Sequence, residues 1–146
     1  LLEQYIADAL ADRQAGKRYI FSIFDKQAGK LAGTTGFGAI MNTDLRLEIG
    51  WTWLGKAHQR TGLNRHCKFL LLRYVFEELQ FERVELKTDA RNQQSRQALG
   101  KIGATEEGAL RHHTLLPDGH RRDTVYYSIL KREWPAIRQQ VFQEFG

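Results

Sequence analysis

The stretch from Leu45 to Gln80 constrains the fold more than any other, because its hydrophobic period changes part-way along. Apolar residues first occupy every second position, which predicts a β-strand with one apolar face. A polar turn containing Gly62 follows, and beyond it a helical period predicts one buried stripe. The strand face consists of Leu45, Leu47, Ile49, Trp51 and Trp53, and the helix stripe of Cys67, Leu70, Leu71, Tyr74, Val75 and Leu79. Arg65, Lys68, Arg73 and Glu77 are expected elsewhere on that helix.

A strand that leads through a glycine-bearing turn into a helix can bind a phosphate group. The first amides of a helix have no internal acceptor, and the helix dipole favours an anion there. Arg60 and Arg65 add positive charge beside the turn. The same pattern also fits a plain connection between a strand and a helix, so the local sequence leaves both interpretations open.

The net charge limits the classes of partner, and the cysteine count limits the kinds of structural site. The net charge of +5 on 146 residues implies an anionic partner, which could be a nucleic acid, a phosphorylated cofactor or an acidic peptide. The length suits a single domain over residues 1–146. Cys67 is the only cysteine, which excludes a disulfide framework and a cysteine-based zinc site and favours a cytoplasmic location.

Local signals predict the order helix, three strands, helix, strand, helix, two strands, helix, which fits one mixed sheet covered by helices. Asn92 is a suitable N-cap, Ala98, Leu99 and Ile102 give the helix after it an apolar face, and Gly103 suits its end. The glycines of the second strand predict a bulge or a close backbone approach. Strands are predicted over residues 17–25, 30–42, 45–54, 83–88, 104–116 and 121–130, and the last helix over 133–145.

Four segments, in this order and spacing, resemble the GNAT N-acetyltransferases, and within them the group of ribosomal-protein N-terminal acetyltransferases (RimJ/RimL-like). The segment from Gln59 to Asn64 resembles the pyrophosphate loop of that superfamily, Q/R-x-x-G-x-G/A. The other three are the strand Leu47–Trp51, the N-x-x-S sequence Asn92–Ser95, and Gly103–Arg111. The similarity extends from about Tyr19 to Trp134.

The resemblance implies an α+β fold with a central mixed, mostly antiparallel sheet. It implies that this sheet is splayed at its centre, between the strands of Glu48 and Val84, and has helices on both faces. It also implies one strand and one helix more than can be found before Leu2, so the chain is expected to be a fragment or the fold to be trimmed.

Acetyl-CoA is the implied cosubstrate, and no metal is expected. By family precedent its pantetheine arm would lie along the strand, and its pyrophosphate would lie in the loop. The residues implied to bind it are Trp51, Thr52, Trp53, Leu54, Gln59, Arg60, Thr61, Gly62, Leu63, Asn64, Asn92 and Ser95. Two positions depart from the family pattern: Asn64 has a side chain where Gly or Ala is usual, and Leu99 replaces a tyrosine that could donate a proton.

Acetyl transfer needs a base for the amine and an acid for the departing thiolate. Glu48 is the candidate base, since it lies on the strand face opposite the apolar residues, beside Gly50. It could equally be a surface carboxylate paired with a basic residue of a neighbouring strand. Ser95 is the candidate acid, directly or by hydrogen bonding, because it lies in the first turn of a helix. A second capping hydroxyl is the alternative for Ser95, and Asn92 is most simply a cap.

Freeing a lysine amine at pH 7 costs about 4.6 kcal/mol, whereas freeing an α-amine costs only about 1.4 kcal/mol. The predicted reaction is therefore acetylation of the N-terminal amine of a protein or peptide. Acetylation of a small amine and a non-catalytic acyl-CoA-binding module are the alternatives. Only the positive net charge favours nucleic-acid binding, so that function is a weaker alternative. The sequence does not decide whether the protein forms a homodimer.

Overall fold

The computed structural model describes all residues from Leu1 to Gly146, which form four helices and six strands. The helices are α1 (Leu2–Gln14), α2 (Leu63–Arg73), α3 (Gln93–Lys101) and α4 (Trp134–Val141). The strands are β1 (Arg18–Asp25), β2 (Lys30–Met41), β3 (Arg46–Leu54), β4 (Arg83–Asp89), β5 (Thr105–Leu115) and β6 (Arg121–Leu130). The predicted order of elements is therefore confirmed. No helix is long and apolar enough to cross a bilayer.

All six strands form one sheet in the order β1-β2-β3-β4-β6-β5. Every neighbouring pair is antiparallel except β3 and β4, which are parallel. Those two strands pair only at Arg46↔Arg83, Leu47↔Val84 and Glu48↔Glu85. The sheet is thus mixed, mostly antiparallel and open at its centre beyond Glu48, as predicted.

The main core lies between one face of the sheet and the helices α2, α3 and α4. It contains 19 buried apolar residues drawn from strands and helices alike. Representative members are Leu47, Val84 and Ile129 from the strands and Phe69, Leu72, Leu99, Trp134 and Ile137 from the helices. Burial of this apolar surface supplies the main driving force for folding.

Helix α1 is joined to the other face of the sheet through Arg18. The Arg18 guanidinium forms a 2.8 Å ion pair with Asp12 and lies over the rings of Tyr5 and Trp51. No residue of α1 is buried. The apolar residues Leu2, Ile6 and Leu10 of this helix are therefore exposed.

The predicted single apolar face of β3 is wrong beyond Ile49, because a bulge interrupts the alternation. It is also wrong at Leu45, which precedes the strand with a φ of +51° and is exposed. Trp51 has a φ of +52°, and the register with β2 shifts by one residue at this point. Leu47 and Ile49 are buried, whereas Trp53 is 66% exposed. The Trp51 indole packs against Gly38, which pairs with Glu48, so Trp51 shares the face of Glu48. A Cβ atom at Gly33 would lie 1.9 Å from the Trp53 carbonyl oxygen, so the close backbone approach predicted from the β2 glycines is confirmed there.

The predicted stripe of α2 is also wrong in part. The buried residues are Lys68, Phe69, Leu72, Val75 and Phe76, whereas Leu70, Tyr74 and Leu79 are exposed. Four successive apolar residues, Phe69–Leu72, make the period ambiguous, and Tyr74–Glu78 forms a wider π-helical turn that changes the phase. In α3, Leu99 and Ile102 are buried as predicted, but Ala98 is exposed.

Candidate active site

The opening between β3 and β4 is the central feature of the site. Past Glu48 no strand pairs with the β4-facing edge of β3, which continues to Leu54. An unpaired strand edge presents N–H and C=O groups that an extended ligand can pair with. Residues Trp51, Thr52, Trp53 and Leu54, predicted to bind pantetheine, all lie on this part of β3.

The loop from Gln59 to Gly62 leads from the end of β3 into α2. The Gln59 side-chain amide donates to the Leu54 carbonyl at 2.9 Å, and the Thr61 hydroxyl donates to the His58 carbonyl at 2.8 Å. Gly62 is the N-cap of α2 with a φ of +85°, a conformation that glycine adopts without steric cost. These contacts hold the backbone of the loop in one shape.

Several amides of this loop and of the first turn of α2 have no acceptor within the chain: those of Arg60, Thr61, Gly62, Asn64 and Arg65. Leu63 donates only to Thr61 Oγ1, at 3.4 Å. The loop also borders a surface cavity of about 560 Å³ that Lys26 helps to line. Free amides at a helix N-terminus, with a cation nearby, make this corner suitable for a phosphate group.

The two arginines beside the loop differ in their contacts. The Arg65 guanidinium donates to Glu144 at 2.6 Å and to the Val141 carbonyl, and it lies over the Phe142 ring. Arg60 has no ion pair or side-chain hydrogen bond and is exposed. The Arg65 side chain is therefore held by the C-terminal segment. The Arg60 side chain has no partner in the chain and can bind an anion.

Asn64 and Lys68 line a cavity of about 160 Å³ between α2 and α3, together with Leu99 and Lys101. The Asn64 Oδ1 atom is shielded from solvent and has no hydrogen-bond partner. The Lys68 Nζ atom donates to Thr52 Oγ1 at 2.8 Å. Lys68 was expected among the polar residues away from the core, but it is buried with only 7% of its surface exposed.

Lys68 is thus a site residue that the sequence analysis missed. Burial lowers its pKa from 10.5 to about 8, although the nearby Cys67 thiol opposes this shift. The available sequence signal is its position between Cys67 and Phe69, which both pack on apolar neighbours.

Asn92 caps α3 by accepting a 3.0 Å hydrogen bond from the Ser95 amide at its Oδ1 atom. The capping interpretation of Asn92 is therefore confirmed. The Ser95 hydroxyl makes no hydrogen bond within the chain and is half-buried in the first turn of the helix. It remains free to bind another group near the helix N-terminus.

Glu48 and Lys87 form a 2.9 Å ion pair across the opening. Burial lowers the pKa of Lys87, but the hydrogen bond and charge of Glu48 outweigh it and raise that pKa overall. The Lys87 ammonium also lies over the Tyr126 ring at 4.9 Å. The ion pair expected as one interpretation of Glu48 is therefore present, and the carboxylate faces the same side of the sheet as Trp51.

The last two strands contribute packing and positioning residues. Tyr127 is buried, and its hydroxyl donates to Glu106 at 2.7 Å. The backbone of His112 bulges with a φ of +49°, and the His113 ring contacts the Thr124 hydroxyl at 3.0 Å. No group of three or more His, Cys, Asp or Glu residues could hold a metal ion.

Residues 2–105 match a family model described as "Acetyltransferase (GNAT) domain". The chain belongs to the GNAT acetyltransferase family. It is 36% identical over 106 residues to a Bacillus subtilis (strain 168) protein named "Putative ribosomal N-acetyltransferase YdaF", covering 73% of this chain and 57% of YdaF. It is 33% identical over 131 residues to the uncharacterized N-acetyltransferase p20 of Bacillus licheniformis, covering 90% and 71% of the two chains.

Solved structures of GNAT proteins share the fold. A GCN5-related N-acetyltransferase from Brucella melitensis superposes with a TM-score of 0.83 at 32% identity, over 87% of this chain and 57% of that chain. An acetyltransferase structure from T. thermophilus gives a TM-score of 0.80 at 39% identity, over 88% and 67%. The chain thus spans 57% of the length of both YdaF and the Brucella protein.

Proposed function

We propose that this GNAT chain transfers an acetyl group from acetyl-CoA to a primary amine, as one domain over residues 1–146 acting in the cytoplasm. The observation that carries the proposal is the combination of the open β3 edge with the free amides that follow it. The β3 edge suits the pantetheine arm, and the amides of Arg60 to Gly62 suit the pyrophosphate. Membership of the family supports the same cosubstrate.

The cosubstrate would enter this site from the side of α2 and α3. Arg60, Thr61, Gly62 and Asn64 would hold the pyrophosphate through free backbone N–H groups, and Arg60 would add positive charge. Gln59, predicted to bind with them, donates its amide to the Lys56 carbonyl and its side chain to the Leu54 carbonyl, so it would shape the loop instead. Trp51 to Leu54 would pair with the pantetheine arm and direct amides at the thioester oxygen as negative charge develops there. Asn92 would serve the site indirectly, by fixing the first turn of α3 that contains Ser95.

The acceptor amine would approach on the opposite face, where Glu48 lies. Glu48 would take the proton that the amine loses as it attacks the thioester. The Ser95 hydroxyl would hydrogen-bond the sulfur as the carbon–sulfur bond breaks. Since Ser95 lies at a helix N-terminus, the helix dipole would favour the thiolate as well.

We further propose the N-terminal amine of a protein or peptide as the acceptor. Deprotonating an α-amine at pH 7 costs about 3 kcal/mol less than deprotonating a lysine side chain, so a single carboxylate is sufficient as the general base. The name of the relative YdaF refers to ribosomal N-acetylation, which supports an acceptor of this class.

Calorimetric titration with acetyl-CoA, followed by a thiol-release assay, tests this proposal. The acceptors are short peptides with a free N-terminus, the same peptides with a blocked N-terminus and an internal lysine, and a polyamine. Micromolar binding with turnover on the free N-terminus is the expected result. Turnover on the polyamine alone would identify a small-amine enzyme, and binding without turnover on any amine would identify a non-catalytic module.

A further inference from the structure

Lys68 is a buried cation without an anionic partner. Its ammonium group has three donors, yet its only hydrogen-bond acceptor in the chain is Thr52 Oγ1. No carboxylate lies within ion-pair distance of it. A buried charge is costly unless it is paired and hydrogen-bonded, so this lysine lowers the stability of the unliganded fold.

The position of Lys68 connects it to the proposed thioester site. Thr52, its acceptor, lies in the middle of the open segment of β3. The Thr52 hydroxyl is also 2.9 Å from that of Thr35, so the exposed Thr52 joins the buried residues Lys68 and Thr35 in a short polar chain. The cavity beside Lys68 is bordered by the last turn of α3, the helix whose first turn contains Ser95.

The groups around Lys68 do not supply the missing negative charge. On its own helix Arg65 is a cation, Asn64 is neutral, and burial raises the pKa of the Cys67 thiol. On α3 the nearest titratable group lining the cavity is Lys101, another cation. On β3 it donates to the Thr52 hydroxyl, which in turn contacts the Thr35 hydroxyl of β2, while Glu48 on β3 is paired with Lys87. An anion bound beside Lys68 would therefore be its first negatively charged partner.

We propose that the Lys68 ammonium group is the catalytic acid that protonates the departing CoA thiolate. This inference rests on the proposed acetyl transfer. Ser95 can donate a hydrogen bond to the sulfur, but an alkyl hydroxyl is far less acidic than a thiol and is a poor net source of a proton. Lys68 is better matched, because its pKa of about 8 is close to the value of about 8.5 for a free cysteine thiol.

The transfer conserves atoms, electrons and protons. The amine nitrogen forms a bond to the thioester carbon, and the carbon–sulfur bond breaks with its electron pair on sulfur. The sulfur takes a proton from Lys68 Nζ, and the amine nitrogen loses one to Glu48. Neutral Lys68 then regains a proton from solvent, and Glu48 releases its proton there. The products are the acetylated amine and the free thiol of CoA.

Lys68→Met tests the proposal, because methionine fills similar space without the charge. CoA is bound to wild type and variant, and the pKa of its thiol is followed by the ultraviolet absorbance of the thiolate as pH is raised. A nearby ammonium lowers the pKa of a thiol, so the variant should raise the pKa of the bound thiol by about one to three pH units. The turnover number with the best amine should fall about 100-fold or more.

Thermal unfolding separates this role from a structural one. Removing an unpaired buried charge should leave the variant as stable as wild type or raise its Tm by about 2 °C or more. Lys101→Met, which removes a charge from the edge of the same cavity, is the matched control and should change the thiol pKa much less.

An unchanged thiol pKa in Lys68→Met, with CoA still bound, would overturn the role of Lys68 and leave the proposed function standing. A variant that loses CoA binding or unfolds would assign Lys68 to cosubstrate binding or to folding instead. In that case Lys68→Gln, which keeps a hydrogen-bond donor, repeats the measurement. If wild type binds neither CoA nor acetyl-CoA, the proposed function itself fails.

Discussion

The indole of Trp51 occupies the space that a side chain at Gly38 would need. A Cβ atom built on Gly38 would lie 2.1 Å from Cη2 of the Trp51 ring, which is far inside van der Waals contact. The glycine in β2 therefore fixes where the bulged tryptophan of β3 lies. That tryptophan stands on the face of the sheet where the acceptor amine is proposed to bind.

Gly38→Ala should displace Trp51 and destabilise the protein. The ring is rigid and cannot yield at its tip, so we expect a loss of about 1–3 kcal/mol in the free energy of unfolding. Denaturation monitored by tryptophan fluorescence measures this loss. Gly100→Ala is the control, since nothing lies within 4 Å of its Cβ position in α3 and the change should stabilise by about 0.5–1 kcal/mol. Equal effects of the two variants would contradict the packing role of Gly38.

Gly62→Ala should weaken acetyl-CoA binding. Its φ of +85° strains any residue with a Cβ, so the free amides of the loop should shift out of alignment. We expect the Kd to rise about 10-fold, which corresponds to about 1.4 kcal/mol. Gly119→Ala imposes similar strain at a φ of +84° in the turn between β5 and β6, at the other edge of the sheet, and should lower stability without changing the Kd measured by calorimetry. A Kd that rises equally in both would exclude a specific role for the loop.

Ser95→Ala should slow thiol release more than it weakens acetyl-CoA binding. The variant keeps the backbone amide that Asn92 caps, so it removes only the hydroxyl. Losing one hydrogen bond to a developing thiolate should reduce the turnover number about 10-fold. Asn92→Ala instead removes the cap and should cost about 1 kcal/mol of stability. Equal losses in binding and turnover for Ser95→Ala would indicate a structural role.

Glu48→Gln should reduce the turnover number about 100-fold through loss of the base. Glu85→Gln is the control, because Glu85 lies opposite Glu48 in the register but pairs with Arg46 and Arg83. Its effect on turnover should be small. Lys87→Met decides between the two interpretations of Glu48, since an ion-pair role alone predicts that Lys87→Met is as damaging as Glu48→Gln.

Acid should weaken the protein partly through Glu107. The Arg83 guanidinium, helped by the Ser128 hydroxyl, holds the pKa of Glu107 at about 2, below its ordinary 4.5. A lowered folded-state pKa gives stability that is present above about pH 4.5 and is lost as pH falls towards about 2. Because the side chain is 40% exposed, the contribution is about 1 kcal/mol or less. The difference between the urea midpoints measured at about pH 6 and about pH 3 should be smaller for Glu107→Gln than for wild type.

The features predicted well from sequence are those that depend on neighbouring residues in the chain. Asn92 was identified as a cap because its side chain needs only the amide three residues later. The gap predicted between the strands 104–116 and 121–130 is likewise a turn, because Pro117, Asp118 and Gly119 each favour a turn locally. The opening in the sheet was predicted from the family resemblance, whose motifs are spaced across the chain.

The features that were missed depend on partners distant in sequence. The bulge at Trp51 arises from the register with β2, and alternation within β3 alone contains no sign of it. The buried face of α2 is ambiguous within four consecutive apolar residues, so the sheet decides it. Lys68 was assigned to the polar side because composition favours that position for lysine, and only its contact with Thr52 reveals the ammonium inside the fold.

Because β3 and β4 share only three residue pairs, main-chain hydrogen bonding does little to fix the distance between the two halves of the sheet. That distance is set instead by side chains that bridge the seam from below, such as Leu47 against Val84 and the α2 residues packed on both. The width of the cleft therefore depends on the volume of the side chains in the core. Adding or removing a methyl group in the core should change the length of the acyl chain that the cleft accepts.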